Sequence, residues 1–295
     1  MASYHGKKVD LIVAFLTLVT LNVSYTLATN EQFTSGLTKK AMKARHKMWM
    51  VEYGQSYKDE VEKAHRFKYH FAINEFANMS NQEFMAMYAR SEPMVSTVKK
   101  ISGFKYVNAT LTKLPKEIDW TKKGAVTKIK NQKDCGCCWA ICVVGAMEGI
   151  HWIKTGQLLS LSEQHLLDCS NHKNDCSSGF KGVAFQYIVD NGIAIEDTYP
   201  YTGKKGLCRS FKPVVKITGF EVVPEDNEDA LAAAVAHQPV VVSIDGSKFQ
   251  FYGGGVMLGH GCGTDLNHGM TLVGYGLIVD GTKYWLLKNQ WGKMG

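Results

Sequence analysis

Between Asp134 and Cys142 the chain reads DCGCCWAIC, which places Cys135, Cys137, Cys138 and Cys142, half of its eight cysteines, in one short stretch. Cysteines this close imply a metal site, disulfides or a nucleophile, and each alternative restricts the surrounding fold differently. Zinc fits poorly: adjacent Cys137 and Cys138 do not easily converge on one tetrahedral centre, and no second CxxC pair follows at a typical interval. No metal or other cofactor is expected. A nucleophile fits better. The run from Cys138 through WAICVVGAMEGIHWIK reads as a long helix, with Thr155-Gly156 as its stop signal. A thiol at the head of a helix lies among unpaired amide N–H groups at the positive end of the macrodipole, which favours the thiolate.

Pairing of the other cysteines depends on compartment. Lys7 and Lys8 precede the apolar run LIVAFLTLVTL from Leu11 to Leu21, after which polar residues lead to small Ala28. That order is the order of an export signal, assigned to residues 1–28 and removed. The run falls short of the ~18 apolar residues a membrane-crossing helix needs, so no stable membrane anchor is expected. An oxidising compartment favours disulfides. The expected destination is the secretory pathway, ending in a vacuole or lysosome or outside the cell. Two acceptor patterns for N-glycosylation follow, at Asn78 and Asn108.

The formal charge of +7 would suit a nucleic-acid partner only if it were spread over a binding face. It is not. Residues 1–113 hold 16 Lys and Arg against 9 Asp and Glu, whereas residues 114–295 hold 18 against 18. Nucleic acid is therefore not an expected partner, and the asymmetry separates two parts of the chain. From about Gln32 to Ala89 the pattern is helical, with Met42, Trp49 and Met50 and then Phe67, Tyr69, Phe71 and Phe76 among charged residues. A polar connector, SEPMVSTVKKISGFKYVNATLTKLP, follows, exposed enough to be cut. After Leu114 come the Cys138 helix and a second helix in SEQHLLDC capped by Ser162. Then VVKITGFEVV, PVVVSI, MTLVGYGLIV and KYWLLKN read as strands. The expected class is α+β, with a helical lobe over about 120–225 and a strand-rich, barrel-like lobe over about 226–295.

A thiolate attacking a carbonyl needs a base, a group that orients the base, and donors for the oxyanion. His268 opens one strand-like run and Asn289 closes another, at intervals close to the 130–150 residues that separate nucleophile from His and Asn in the papain and cathepsin family. NQKDCGCCWA, NHGMTLVGYG and LKNQWG resemble that family's cysteine, histidine and asparagine segments. Gly-Cys-Cys-Trp is similar to some plant, senescence-associated members. The resemblance implies a two-lobed papain-like fold and a cysteine endopeptidase. It makes Cys138 the nucleophile, His268 the base and then the acid, Asn289 the group orienting the imidazole, and Gln132 the side-chain donor of the oxyanion hole. Trp291 matches the aromatic that covers the His–Asn pair. It also implies two disulfides, Cys135 with Cys176 and Cys169 with Cys208. Cys137 and Cys142 read as small buried residues.

Upstream, RHKMWMVEYGQSYKDEVEKAHRF and AINEFANMSNQEF resemble the family's inhibitory propeptide, and LPKEIDWTKKGAVTKIKNQ resembles the start of the mature enzyme. Residues 29–113 are thus expected to be a shortened propeptide and 114–295 the peptidase domain. Phe180, Ser243, Leu266 and Gly269 match walls of the pocket for the side chain second from the scissile bond on its acyl side, implying an apolar preference there. Gly179 matches backbone that pairs with the peptide as an added strand. Implied partners are protein or peptide substrates, the chain's own propeptide and cystatin-type inhibitors, with a monomer expected.

Three departures from the family pattern stand out. The propeptide runs directly from RFKYHF into AINEF, with Asn78 where Asp is usual. CSSGF puts Ser178 where the family has glycine. The sequence stops at Gly295, whereas family members continue, so the strand-rich lobe is expected to be incomplete and Cys262 to lack its partner. These features leave an alternative function, a catalytically inactive, truncated relative acting as a binding or propeptide-type inhibitory protein.

Overall fold

In the computed structural model of the chain, the described residues are 10–13, 25–29, 69–71, 74, 76, 79–90, 104–106, 114–170, 174–257, 262–278 and 281–292. Asn78, Asn108 and most of 29–113 lie outside them.

The helical lobe is built around α2, Cys138–Thr155, whose residues from Cys138 to His151 are all buried. A helix apolar on every side belongs in an interior, and α2 runs between the two lobes. It ends at Gly156, whose φ of 74° is the left-handed conformation that glycine adopts freely, with its N–H donating to the Trp152 carbonyl. α3, Glu163–Cys169, starts at Ser162, whose hydroxyl accepts from the His165 N–H at 2.9 Å. α4, Lys181–Asn191, packs beside α2. Disulfides join Cys135 to Cys176 and Cys169 to Cys208. At the base of the lobe the Lys130 ammonium stands 2.6 Å from Glu163, 3.0 Å from Glu196 and 3.5 Å from Glu148. Lys288, from the other lobe, approaches Glu148 at 3.9 Å.

The strand-rich lobe is a seven-stranded sheet. In order its strands are β3 (Tyr69–Phe71), β7 (Tyr252–Met257), β2 (Tyr25–Thr29), β9 (Lys283–Lys288), β8 (His268–Leu277) and β4 (Ile118–Asp119). β6 (Val240–Ile244) also pairs with β8. β8 and β9 are antiparallel and carry the core residues Met270, Leu272, Val273, Trp285, Leu286 and Leu287. α5, Glu228–His237, packs on this core through Leu231 and Val235, entered through Asn227, whose side chain accepts from the Ala230 N–H. The lobes meet where α2 lies on β8. A Cβ at Gly145 would stand 2.5 Å from Thr271 Oγ1, and one at Gly149 2.5 Å from Pro239, so only glycine permits this approach. Thr271 uses the closeness to donate to the Cys142 carbonyl at 3.2 Å. Among the described residues no helix is long and apolar enough to cross a membrane.

Several expectations need correction. The segment 32–89 is not uniformly helical: Tyr69–Phe71 is a strand antiparallel to β7, because that edge offers unpaired backbone groups, and among the described residues of the segment the helix is α1, Asn81–Tyr88. α1 starts with a capping box, Ser80 accepting from the Glu83 N–H and Glu83 accepting from the Ser80 N–H. The lobe boundary is also different. Ile118, Trp120 and Ala125 belong to the strand-rich core, since β4 pairs with β8, so the peptidase domain begins in that lobe, crosses to the other and returns. α4, α5 and β7 were not anticipated. Two strands come from the segment read as an export signal: β1, Asp10–Val13, parallel to β5 (Gly219–Val222), and β2, which lies between β7 and β9 in the intact chain.

Candidate active site

Cys138 is the first residue of α2 and fully buried. Burial pushes its thiol up from the ordinary value, opposed by the Lys181 ammonium and by backbone groups of Gly269, Arg90 and Trp139. The helix-head position therefore does not by itself leave a thiolate: in this covered state the neutral thiol is favoured. Gly269 follows His268 at the start of β8, and a Cβ on it would lie 3.4 Å from the Cys138 carbonyl oxygen. The head of α2 and the head of β8 are thus brought together across the lobe junction.

His268 is completely buried, and Asn289, just past β9, places Oδ1 3.0 Å from its Nε2. The β8–β9 pairing aligns the two positions. With Nε2 engaged by Asn289, Nδ1 has no hydrogen bond of its own. Burial lowers the pKa of the ring to about 4, with the Asn289 contact acting in the opposite direction. The indole of Trp291 stacks on the imidazole at a centroid distance of 4.9 Å and an interplanar angle of 30°. Gln290 adds a side-chain N–H to the Gly269 carbonyl at 2.8 Å, tying the asparagine segment to the histidine strand.

Gln132 is buried, its amide N–H group 3.1 Å from the Cys135 carbonyl and 3.4 Å from the Tyr88 carbonyl. Tyr88 also stands close enough to His268 for its carbonyl to favour the protonated ring. A Cβ on Gly136 would meet Arg90 at 3.2 Å, and one on Gly246 would meet Ala89 at 3.3 Å. The segment Tyr88–Arg90 therefore passes through the space between Gln132, Cys138 and His268. Behind it, Phe84 and Tyr88 of α1, with Phe76, surround Trp291 at centroid distances of 5.1, 6.2 and 5.7 Å. Gln250 completes the attachment, donating to the carbonyls of Phe76 at 3.0 Å and Met79 at 2.8 Å. Asn81 donates to the Ser247 carbonyl at 2.8 Å.

Of the substrate-side residues, Gly179 is buried against Trp139, where a Cβ would sit 2.4 Å from the indole. Phe180 is the half-buried N-cap of α4. Ser243 on β6 is opposite Gly269 on β8, and Leu266 is half-buried just before β8. Ser178 carries no left-handed strain, since the non-glycine residues with positive φ among those described are Lys133 and Asp226. Cys137 contacts the Tyr201 hydroxyl at 2.8 Å, and the Cys142 thiol donates to the Trp139 carbonyl at 3.4 Å. Burial pushes the Cys142 thiol up to about 12 and Cys137 higher, which favours the neutral thiol at both.

Sequence reasoning missed Tyr88, Ala89 and Arg90, the last residue of α1 and the two after it, which no motif marks. It also missed Gln290 and Lys181. Lys181 carried no sequence signal, because the helix it opens was itself not legible.

Residues 114–295 match the papain family of cysteine proteases. Senescence-specific cysteine protease SAG39 of Oryza sativa subsp. japonica is 47% identical over 276 residues, covering 85% of this chain and 81% of that protein. Among solved structures, a recombinant stem bromelain precursor superposes with a TM-score of 0.69 at 39% identity, covering 86% of this chain and 89% of that one. The proform of Amb a 11, a ragweed pollen cysteine protease, gives 0.69 at 38% identity, with 86% of each chain covered. The chain belongs to the papain family of cysteine proteases, close to the plant senescence-associated proteases and bromelain, and is a cysteine endopeptidase.

Proposed function

We propose that the chain is an endopeptidase zymogen in which Cys138, His268 and Asn289 cleave peptide bonds. His268 takes the Cys138 proton, the sulfur adds to the scissile carbonyl, and the oxyanion is held by Gln132 and the Cys138 backbone N–H. His268 then gives the proton to the leaving amine, which departs and leaves a thioester on Cys138. Water, deprotonated by His268, hydrolyses the thioester and regenerates the thiol. The observation that carries this reading is the Asn289 contact of 3.0 Å on His268 Nε2 beneath Trp291, which leaves Nδ1 for the sulfur.

Residues 29–113 act as the inhibitory propeptide in this reading. Tyr88–Arg90 fill the cleft, and their burial of Cys138 and His268 suppresses charge on both groups. Removal lets water in and restores the thiolate–imidazolium pair. The two disulfides support export through the secretory pathway to a vacuole, lysosome or the exterior, with residues 1–28 as the signal. Phe180 and Leu266 support apolar walls in the pocket for the second acyl-side residue, and cystatin-type proteins are natural inhibitors of such a cleft.

A thiol-directed epoxide tests the assignment. After acid treatment releases the propeptide, labelling is expected in the native chain and in Cys137→Ser, and lost in Cys138→Ser. Absence of labelling in the native chain would favour the inactive, inhibitory alternative.

A further inference from the structure

Tyr201 places its hydroxyl between two residues of the cysteine segment. The phenolic O–H donates to the Gln132 carbonyl at 2.6 Å, and the Cys137 sulfur lies 2.8 Å from the same oxygen. A phenol carries one hydrogen and a carbonyl only accepts, so that hydrogen is committed to Gln132, and the sulfur contact is a thiol S–H donating to the phenol oxygen. Cys137 is the N-cap of α2, a position where a side chain such as serine's accepts from a backbone N–H of the first turn, yet it makes no such bond. Its sulfur is turned to Tyr201 instead.

The two contacts fall on the two groups assigned to the oxyanion. One donor is the Gln132 side-chain amide. The other is the Cys138 N–H, which belongs to the peptide that Cys137 begins and which, at the first position of α2, has no partner within the helix. One hydroxyl thus links the backbone bearing the first donor to the residue that carries the second. Gln132 is held from other sides as well: its N–H donates to the Gln290 carbonyl at 2.8 Å, and the Cys135 N–H reaches its carbonyl at 3.3 Å. The next residue, Lys133, has a φ of 53°, a left-handed conformation that a residue with a Cβ keeps only where its surroundings enforce it. Tyr201 is itself fixed, since the Thr202 N–H donates to Gln164 Oε1 of α3 at 2.9 Å and the Lys133 ammonium stands 5.9 Å from the Tyr201 ring centroid. Tyr201, Cys137 and Gln290 all lie in the peptidase domain, so none of this clamp departs with residues 29–113.

We propose that the Tyr201 hydroxyl, bonded to Gln132 and Cys137 together, sets the spacing of the two oxyanion donors and thereby governs the rate of acylation. This rests on the reading of Cys138 as nucleophile and Gln132 as oxyanion donor. Tyr201 and Cys137 are positioning residues, each acting through its neighbour rather than on the substrate. Without the hydroxyl the Gln132 backbone loses one of its ties, and the amide drifts from the point where negative charge develops. The uncharged carbonyl of the bound substrate gains little from that alignment, so the effect belongs to kcat rather than KM.

The test uses the full chain, acid-processed, with its reactive thiol counted by the thiol-directed epoxide, and a peptide amide whose acylation limits turnover. Removing an oxyanion donor outright costs about 10²–10³ in kcat, so misplacing one in Tyr201→Phe should cost about tenfold, with KM held within about twofold. Alkylation of Cys138 by iodoacetamide, which develops no charge on a carbonyl oxygen, should keep its native rate. In Gln132→Ala, adding Tyr201→Phe should cost about twofold at most, since no spacing remains to be set. Cys137→Ala should lose about threefold, and Cys137→Ser, which keeps a donor, should recover most of it. An unchanged kcat in Tyr201→Phe, a loss carried by KM, a fall shared equally by alkylation, or losses that add in the double variant would each overturn the proposal and leave the protease intact. If Tyr201→Phe does not fold, the Cys137 pair decides: a native rate in Cys137→Ala, or a loss that Cys137→Ser does not recover, overturns it. A native chain with no reactive thiol removes the protease reading and this proposal with it.

Discussion

In the proposed assignment of catalytic residues, the two lobes hold their halves of the active site by different means. The lobe that supplies Cys138 is fastened covalently, with Cys135–Cys176 close to Cys138 in sequence and Cys169–Cys208 at the end of α3. Its helices carry their own start and stop signals in Ser162 and Gly156. No disulfide is found among the described residues of the lobe that supplies His268 and Asn289. Its sheet borrows strands from the N-terminal part of the chain, β2 and β3, and its catalytic face is covered by Phe76, Phe84 and Tyr88 from the same part. The sulfur is therefore placed by local chain and cross-links. The imidazole is placed by long-range packing that includes segments from the N-terminal part of the chain.

The sharpest check of that division is chemical. Cys138→Ser and His268→Ala, one in each lobe, should each lower kcat/KM by roughly 10⁴-fold or more, and the double variant should be little worse, because the two act as a unit. Additive losses in a steady-state peptide assay would break the idea that the lobes contribute to a single step.

Next in size is Trp291→Ala. Removing an indole that contacts both His268 and the aromatic cluster should cost about 3–5 kcal/mol in denaturant unfolding of the zymogen. The loss should be smaller once the propeptide is gone, since Phe76, Phe84 and Tyr88 leave with it. Equal losses in both forms would mean that the strand-rich lobe does not depend on the covering segment.

Acid distinguishes the lobes further. Burial lowers the pKa of both His165, in the helical lobe, and His268 to about 4. The ordinary histidine value is about 6.5, so in this window the unfolded or uncovered form binds a proton that the covered form refuses. The stability of the covered form is thus intact above about pH 6.5 and declines as pH falls towards 4, by up to about 1.4 kcal/mol per unit for each ring. Withdrawing Tyr88–Arg90 relieves His268 but not His165. Propeptide release, followed by limited digestion with a second protease, should therefore quicken between pH 6.5 and 4, and His268→Gln should flatten that dependence while leaving acid unfolding of the helical lobe in place.

The smallest effect is expected at Gln250→Ala. It removes two donors to the Phe76 and Met79 carbonyls and should weaken the hold of the propeptide by about 1 kcal/mol, read as earlier release in the same digestion assay.

The contrast between lobes also explains what the sequence revealed. α2 was legible at both ends because its signals are local: a cysteine cluster before Cys138 and Thr155-Gly156 after it. β8 and β9 were legible as apolar runs, and the intervals from Cys138 to His268 and Asn289 pointed to their joint use. α4 was hidden, since KGVAFQYIVDN opens with a lysine and a glycine and its N-cap, Phe180, makes no side-chain hydrogen bond. β7 contains three consecutive glycines, and its strand state is set by its neighbours rather than by propensity. The strand at Tyr69–Phe71 looked helical by its aromatic spacing because nothing nearby in sequence announces the edge of β7. Tyr88–Arg90 enter the cleft through tertiary docking alone.

The ionic cluster at the junction has an implication for how this molecule tolerates change. Lys130 serves Glu163, Glu196 and Glu148, while Lys288 reaches Glu148 from the opposite lobe. Lys130, Lys288, Glu148 and Glu163 are buried, so deleting either lysine strands a carboxylate in the interior, a loss larger than the pair itself contributes, whereas Glu196 is partly exposed and Lys130 keeps other partners without it. Substitutions of the two lysines should therefore survive only with matched changes in the buried glutamates, and drift within either half of the molecule is constrained by a residue belonging to the other.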